Sequence, residues 1–402
     1  MFASTSGKAG GPGPSRRAWL CLALSFGAFC AGCSGFPGSS FWSGAPPPPT
    51  AQPATAIGTG QVKVGLVLPL SAAGNAGLAA QSMKNAAELA LSEFSNPNLQ
   101  LLVKDDAGTA PGAQQAAQQA IGEGAEIVLG PLFAHSVGAA AQIARARGVP
   151  VIAFSTDANV ASNGVYLLSF LPESDVDRVV EYATSNGKRS FAALLPDNAY
   201  GSVVDAEFRQ IVARKGGRVV ALEHYAPDRQ QLQEPVRRVA EAASQADSIF
   251  IPDAGEAVSP IVQALGANGV DRKRLQLIGT GLWDDPKIFA DTSLQGGWFA
   301  APDPAGYRNF SGRYRTKFGQ DPVRTATLAY DAVSLVAALV KTQGAQRFAP
   351  EVLTNASGFS GVDGIFRFRP DGTSQRGLAV LRVAPGGAQV ISPAPRTFSA
   401  GT

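Results

Sequence analysis

Few residues of this chain have the type and spacing that a reaction requires. Ser185-Asn186-Gly187-Lys188 sets a serine three residues before a lysine, a spacing at which an amine can take a hydroxyl proton. The stretch ends a helical pattern at Gly187, and no Lys-Thr-Gly follows, since Lys341-Thr342-Gln343 breaks that triplet. It reads as a helix stop. The two histidines, His135 and His224, are too far apart to form a metal-ligand pair by spacing. Cys21, Cys30 and Cys33 are the whole cysteine content, so the chain beyond residue 33 offers no thiol nucleophile, disulfide or thiolate metal site. Gly74-Asn75-Ala76-Gly77 opens a helix after a strand, as a phosphate loop does, but lacks the lysine of that signature. No Gly-x-Ser-x-Gly elbow exists. The chain therefore reads as a binder, not an enzyme, with no cofactor and no metal.

The residues that could bind are hydroxyls, rings and acids at loop positions. Ser71, Ala134-His135-Ser136, Ser155-Thr156-Asp157, Tyr200, Asp253 and Trp283-Asp284 form the candidate set. His135 precedes a helix and could donate to an anion there, or sit as a solvated loop residue. Ser136 is placed as that helix's cap. Tyr200, before Gly201, could stack on a ligand or pack on its own lobe. Ser155 and Thr156 could bond a ligand or cap the local backbone. Asp253, Asp284 and Asp285 make either an acidic rim or solvated acidic loops. With Trp283 the rim suits a cationic or polar ligand.

What must position these residues is an alternation of short apolar strands with amphipathic helices. Val64–Leu68 is a strand, and Ala79, Met83, Ala86, Ala90 and Phe94 then fall on one helical face. Strands follow at Leu99–Val103, Ile127–Leu129, Pro150–Phe154 and Val165–Phe170. Thr109 and Pro111 open one helix between them, and Gly122 closes it. The pattern restarts with strands Ser190–Leu195, Arg218–Leu222, Ser248–Ile251 and Leu275–Ile278. Helices are expected near 174–186, 200–215, 230–245 and 255–268, with a long one over Thr325–Lys341. Ile365–Phe368 and Leu378–Val383 read as a hairpin around Pro370-Asp371-Gly372. The fold class is α/β, with two doubly wound parallel-sheet lobes and ligand loops beyond the strands' carboxyl ends, facing each other over a cleft.

The first sixty residues read differently. Residues 18–29 are an apolar run too short to span a bilayer and suited to a signal-peptide core. The run ends in Cys30-Ala31-Gly32-Cys33, which resembles a bacterial lipobox with Cys33 as the lipidated residue, although Cys30 stands where leucine is usual. Ser15-Arg16-Arg17 also resembles a twin-arginine signal, a pair common in any signal peptide. Ser34, a non-Asp residue after the cysteine, resembles the outer-membrane sorting pattern. Residues 34–60, rich in Gly, Pro and Ser, read as a tether. Of the net charge of +3, Lys8, Arg16 and Arg17 supply all three, leaving 31 basic and 31 acidic residues elsewhere. Such a neutral body has no electrostatic footprint for nucleic acid.

In order and spacing the chain resembles the leucine/isoleucine/valine-binding proteins, a family of type I periplasmic binding proteins. The matching segments are Val64-Gly65-Leu66…Pro69-Leu70-Ser71, Asp105-Asp106, Gly130-Pro131-Leu132, Pro150-Val151-Ile152, Asp197–Gly201, Gly279, Ala329–Val333 and Gly364…Asp371-Gly372. The resemblance implies three hinge crossovers, near 171–174, 298–304 and 358–362, and a cleft that closes on a small ligand. It also implies partners, a ligand and an ABC permease. The family's two carboxylate-holding hydroxyl positions fall here at Ala134 and Asp157, its ammonium-binding acid near Gly281, and one aromatic at Asp253; Tyr200 is retained. These departures argue against a standard branched-chain amino acid. A second group of this fold, the lipoproteins that activate penicillin-binding proteins, resembles the chain in lipobox, Ser34 and tether, but lacks a counterpart here for the helical-repeat domain of some members.

The expected organisation is a signal peptide over 1–32, a tether over 33–60, lobe 1 over 61–172, and lobe 2 over 173–299. Lobe 1 return helices over 300–358, a lobe 2 hairpin over 359–390 and a flexible tail over 391–402 complete it. Location is expected on the periplasmic side of the envelope, lipid-anchored, with the outer membrane favoured. The role is either the solute-binding component of an ABC transporter for a polar or amino-acid-like ligand, or an activator of a penicillin-binding protein.

Overall fold

The computed structural model describes residues 55–226, 231–271 and 273–398. The expected leader, Cys33 and most of the tether lie outside the described residues. From Val62 the chain is strand and helix in turn, because apolar runs flanked by glycine turns alternate with alanine-rich amphipathic stretches. In chain order come β1 (Thr55–Ile57), β2 (Val62–Leu68), α1 (Asn75–Glu93), β3 (Leu99–Asp105), α2 (Ala110–Gly122), β4 (Ala125–Leu129), α3 (Ala134–Ala146), β5 (Val151–Ala153) and β6 (Val165–Leu167). They form a six-stranded sheet in the order β1-β3-β2-β4-β5-β6, parallel except for β1. The tether reading therefore ends too late: residues 55–57 already pair with β3. Thr109 caps α2 as expected, accepting from the Gly112 N–H.

The second sheet begins after α4 (Pro172–Ser185). It contains β7 (Ser190–Pro196), α5 (Ala199–Arg214), β8 (Arg218–Tyr225), α6 (Gln233–Ala242), β9 (Ser248–Phe250), α7 (Gly255–Ala267), β10 (Gln276–Gly279), α8 (Pro286–Ala290) and β11 (Trp298–Ala301). The chain returns to lobe 1 as α9 (Pro304–Phe318), α10 (Ala326–Thr342) and α11 (Pro350–Leu353), where α10 lies along α1 and buries Leu328, Val333 and Val336 in the lobe 1 core. Then come β12 (Phe359–Gly361), β13 (Gly364–Phe368), β14 (Ser374–Arg376), β15 (Ala379–Ala384) and β16 (Gly387–Ser392). The seven-stranded order is β16-β15-β11-β10-β9-β7-β8, and β12-β13-β14 make a small separate sheet.

The expected hairpin is corrected by this pairing. β13 pairs with β12 and β14, while β15 runs antiparallel between β11 and β16 in lobe 2. Phe366 and Phe368 of β13 pack into the lobe 1 core, so the third crossover lies at Gly377-Leu378 rather than near 358–362. The other two crossovers are 168–171 and Pro302-Asp303. The end of the chain is also less loose than expected, since β16 occupies 387–392 and the Phe398 ring lies 4.6 Å from the Arg367 guanidinium. The chain leaves lobe 1 from the carboxyl end of β6 and lobe 2 from the carboxyl end of β11. Both carboxyl edges thus lie on the hinge side, the arrangement in which open parallel sheets bind ligands.

Candidate functional site

On the lobe 1 edge the candidate residues mostly hold their own loops. Ser71 is exposed, and its N–H donates to Asp105 Oδ1 at 3.2 Å, as does the Ala107 N–H at 2.8 Å. Burial raises the Asp105 carboxyl, but these bonds and the Ser71 hydroxyl outweigh it and hold the group below its ordinary value. Asp106 is fully buried; Oδ1 accepts from Gly108, Oδ2 has no hydrogen-bond partner, and burial pushes the group up. His135 is exposed and stacks on Phe133 at 5.8 Å. Its Nε2 lies 2.9 Å from the Gly108 carbonyl, which can only accept, so Nε2 donates to this loop.

Ser136 is not the cap of α3. That helix starts at Ala134, its N-cap position is Phe133 with no capping side chain, and Ser136 is buried with an unpartnered hydroxyl. Ala134, the first residue of α3, has no hydroxyl to offer a ligand. Ser155 accepts from the Asp157 N–H at 3.1 Å, and Asp157 accepts from Asn159 N–H at 3.0 Å, so this run caps its own turn. Thr156 is exposed.

The lobe 2 edge is braced by side chains from different strands. Tyr225, at the end of β8, donates to Asp253 Oδ2 at 2.5 Å, and Asp253 Oδ1 accepts from the Ala254 N–H at 2.7 Å. The Tyr200 hydroxyl lies 2.9 Å from Thr280 Oγ1, just past β10. Asp175, in the first turns of α4, accepts from the Gly281 N–H at 2.9 Å. Desolvation pushes the Asp175 carboxyl up to about 7, against the Gly281 bond and Arg376. Both phenols lie above their ordinary value, Tyr225 through burial and the adjacent Asp253, Tyr200 through burial that outweighs its bond to Thr280.

Trp283 does not line a rim. It is fully buried in the lobe 2 core, and its Nε1–H donates to the Ile251 carbonyl at 3.0 Å. Gly279 and Gly297 make its slot, since a Cβ at either would come within 2.2 and 2.7 Å of the indole. Asp284 beside it is open to water. Surrounding protein still pushes its carboxyl up, with Arg324 and Arg308 of lobe 1 pulling against Asp285 and Asp363. Asp284 follows Trp283 just past β10, on the carboxyl edge of the lobe 2 sheet.

The structure therefore gathers Tyr200, Asp253 and Asp284 on one edge and Ser71, His135 and the 155–157 turn on the other. Tyr225, Thr280 and Asp175 complete the lobe 2 cluster and were not singled out from sequence. Tyr225 continues the period of the Arg218–Leu222 strand by three residues, a signal that was present. The exposed large apolar residues Leu78 and Leu282 were also passed over. Leu78 lies in the first turn of α1 after β2, and Leu282 just after β10, each strand central in its own sheet.

Two parallel-sheet lobes joined by three crossovers beside their carboxyl strand edges define a type I binding-protein fold. The profile of the family described as periplasmic binding protein matches residues 61–388, and the chain belongs to that family. A structure described as a branched-chain amino acid ABC transporter from Rhodospirillum rubrum superposes with TM-score 0.74 at 23% identity, covering 82% of this chain and 99% of that one. A branched chain amino acid ABC transporter periplasmic ligand-binding protein from Burkholderia xenovorans gives 0.68 at 19% identity, covering 84% and 96%. A solute binding protein of an ABC transporter from Rhodopseudomonas palustris, in complex with 3,4-dihydroxy benzoic acid, gives 0.59 at 21%, covering 84% and 97%. An uncharacterized Rickettsia prowazekii protein is 22% identical over 162 residues, 38% of this chain; the match spans less than half, 43%, of that curated relative.

Proposed function

We propose that the chain is the solute-binding component of an ABC transporter and that it holds a small ligand with a polar or cationic end. The observation that carries this reading is the lobe 2 cluster: Asp253 fixed by Tyr225, Tyr200 on Thr280, and Asp175 beside them, all at one strand-end edge. Acids and phenols at this density suit an ammonium or hydroxyl-bearing group, and Leu78 and Leu282 offer apolar surface to the rest of the ligand. The ligands of structurally similar proteins, amino acids and hydroxylated aromatic acids, support a molecule of that size. Titration calorimetry of the purified full-length protein against amino acids and aromatic acids tests it. One compound with a micromolar Kd, weakened about tenfold by Tyr225→Phe, is expected; a silent panel sinks it.

One observation favours a second reading. The lobe 1 edge has a methyl at Ala134, a buried hydroxyl at Ser136 and an acid at Asp157, none of which is suited to hold a carboxylate. A body with such an edge could instead grip a protein partner, as an activator of a penicillin-binding protein does. A silent panel together with capture of a purified penicillin-binding protein would favour this role. In either role we place the body on the periplasmic side of the envelope, anchored by lipid at Cys33 and favouring the outer membrane. Among the described residues no helix is long and apolar enough to cross a membrane. Cys33→Ala is expected to move the protein from the membrane fraction to the soluble one.

A further inference from the structure

Arg376 ends β14, at the last crossover, and only 6% of it is exposed. Its Nε–H donates to the Ser169 carbonyl at 3.0 Å, which ties the third crossover to the first. Its guanidinium carbon lies 4.9 Å from the Phe170 ring and 5.6 Å from the Phe366 ring. Yet Nη1 and Nη2 are buried with no hydrogen-bond partner. An unpaired buried charge is costly, so an arrangement that leaves one needs a reason beyond packing.

The charged groups that face Arg376 are Asp363, Asp331, Arg324 and Asp175. Asp363 is already occupied, with its two oxygens on Arg324 at 2.7 and 3.0 Å and a bond from Thr327 at 2.6 Å. Asp331 is not: Oδ1 accepts from the Val362 N–H at 2.7 Å, while Oδ2 is buried without a partner. Gly361 lets β12 approach this carboxylate, since a Cβ there would meet it at 2.3 Å. Asp331 rides on α10 in lobe 1, and Asp175 rides on α4, which packs against β11 and α5 in lobe 2. Unfilled donors on Arg376 and an unfilled acceptor on Asp331 thus stand unpaired beside the crossovers where the lobes turn about each other, with Asp331 on the lobe 1 side and Asp175, four residues past the first crossover, on the lobe 2 side.

We propose that Arg376 is a hinge switch, its guanidinium exchanging carboxylate partners between Asp331 of lobe 1 and Asp175 of lobe 2 as the lobes rotate. Pairing with Asp175 draws lobe 2 toward the hinge, and pairing with Asp331 releases it. Such an element is bistable, as interlobe switching requires. The device does not depend on which ligand the cleft takes. Desolvation pushes both acids up to about 7, reinforced at Asp331 by Asp363 and at Asp175 by Glu173, and opposed at both by Arg376. Arg324 and the Val362 N–H also pull Asp331 down, as the Gly281 N–H does Asp175. Both acids therefore gain charge as pH rises through neutrality, and both alternative pairings of Arg376 weaken as pH falls.

Small-angle X-ray scattering of the ligand-free full-length protein at pH 6 and pH 8 reads the interlobe arrangement. Removing either acid at pH 8 is expected to change the open-to-closed ratio by about fivefold, the scale of a modest coupling, and the change should shrink at pH 6, where both acids are largely protonated. Asp175→Asn at pH 8 should favour the open form relative to wild type, and Asp331→Asn at pH 8 should favour the closed form. Identical profiles for wild type and both folded variants, or shifts in the same direction, overturn the switch. If either variant fails to fold by circular dichroism, the other decides: a shift at pH 8 that shrinks at pH 6 upholds the proposal, and no shift, or one unchanged at pH 6, ends it.

Discussion

On the lobe 1 edge, the turn after β5 caps itself, Ser155 and Asp157 each accepting from an N–H two residues on. On the lobe 2 edge, Tyr225 reaches Asp253 and Tyr200 reaches Thr280, so residues 28 and 80 positions apart depend on one another. A local cap keeps its geometry if the sheet shifts beneath it. A cross-strand bond keeps its geometry only while several strands hold their relative places. The 155–159 turn is thus a property of loop sequence, and the Tyr225 and Tyr200 bonds are a property of the lobe 2 core, including buried Trp283 under the Thr280 turn.

The largest test of that dependence is Trp283→Ala. It removes a buried indole and the bond to Ile251 and leaves a void beside Gly279 and Gly297, at a cost of about 3–5 kcal/mol. Denaturant unfolding measures it; a loss under about 1 kcal/mol would break the comparison.

The hinge comes next in size. Asp331 is raised to about 7 in the folded protein, so the native state binds its proton more tightly than the unfolded chain does. The resulting stabilisation is present below the unfolded value, fades as pH climbs, and is gone above about 7. Asp331→Asn should therefore compare more favourably with wild type at pH 8 than at pH 5, by about 2–4 kcal/mol in unfolding free energy. An equal difference at both pH values would show that the acid is not held neutral.

Tyr225→Phe, which takes the donor from Asp253, should cost about 1–2 kcal/mol in thermal unfolding. The lobe 1 counterpart, Asp157→Ala, loses a cap over residues 158–160 and should cost about 0.5–1 kcal/mol. His135→Ala, exposed and bonded only to Gly108, should stay within about 0.5 kcal/mol. If the two lobe 1 substitutions exceed Tyr225→Phe, the two edges have been assigned the wrong way round.

The alternation that defines both sheets was readable because buried parallel strands are plain apolar runs, as at Val62–Leu68 and Ser190–Pro196. β14 was not, because its buried residues are Ser374 and Arg376, which no hydrophobic pattern marks. The Pro370-Asp371-Gly372 turn was seen, and the next apolar run, Ala379–Ala384, was given to it as a partner. That run instead finds β11, whose four residues Trp298–Ala301 sat under an expected crossover. Tyr200 and Asp253 were visible as polar residues directly after strands. Trp283 was misplaced because its neighbours are acids, while the glycines that admit its ring lie 4 and 14 residues away in sequence. Asp331 stood as a single acid inside the apolar Ala326–Thr342 helix, a signal noted as a segment match and not as a charge in need of a partner.

The short strand β1 has a mechanical consequence. It lies antiparallel on β3, with Thr55 opposite Val103 and Ile57 opposite Leu101. A load applied at Thr55 along the axis of this strand would enter the body at the sheet margin. It would be resisted in shear by three residue pairs at the sheet margin before it could reach α1 or the hinge, so the margin of lobe 1 acts as the fuse of the molecule under tension.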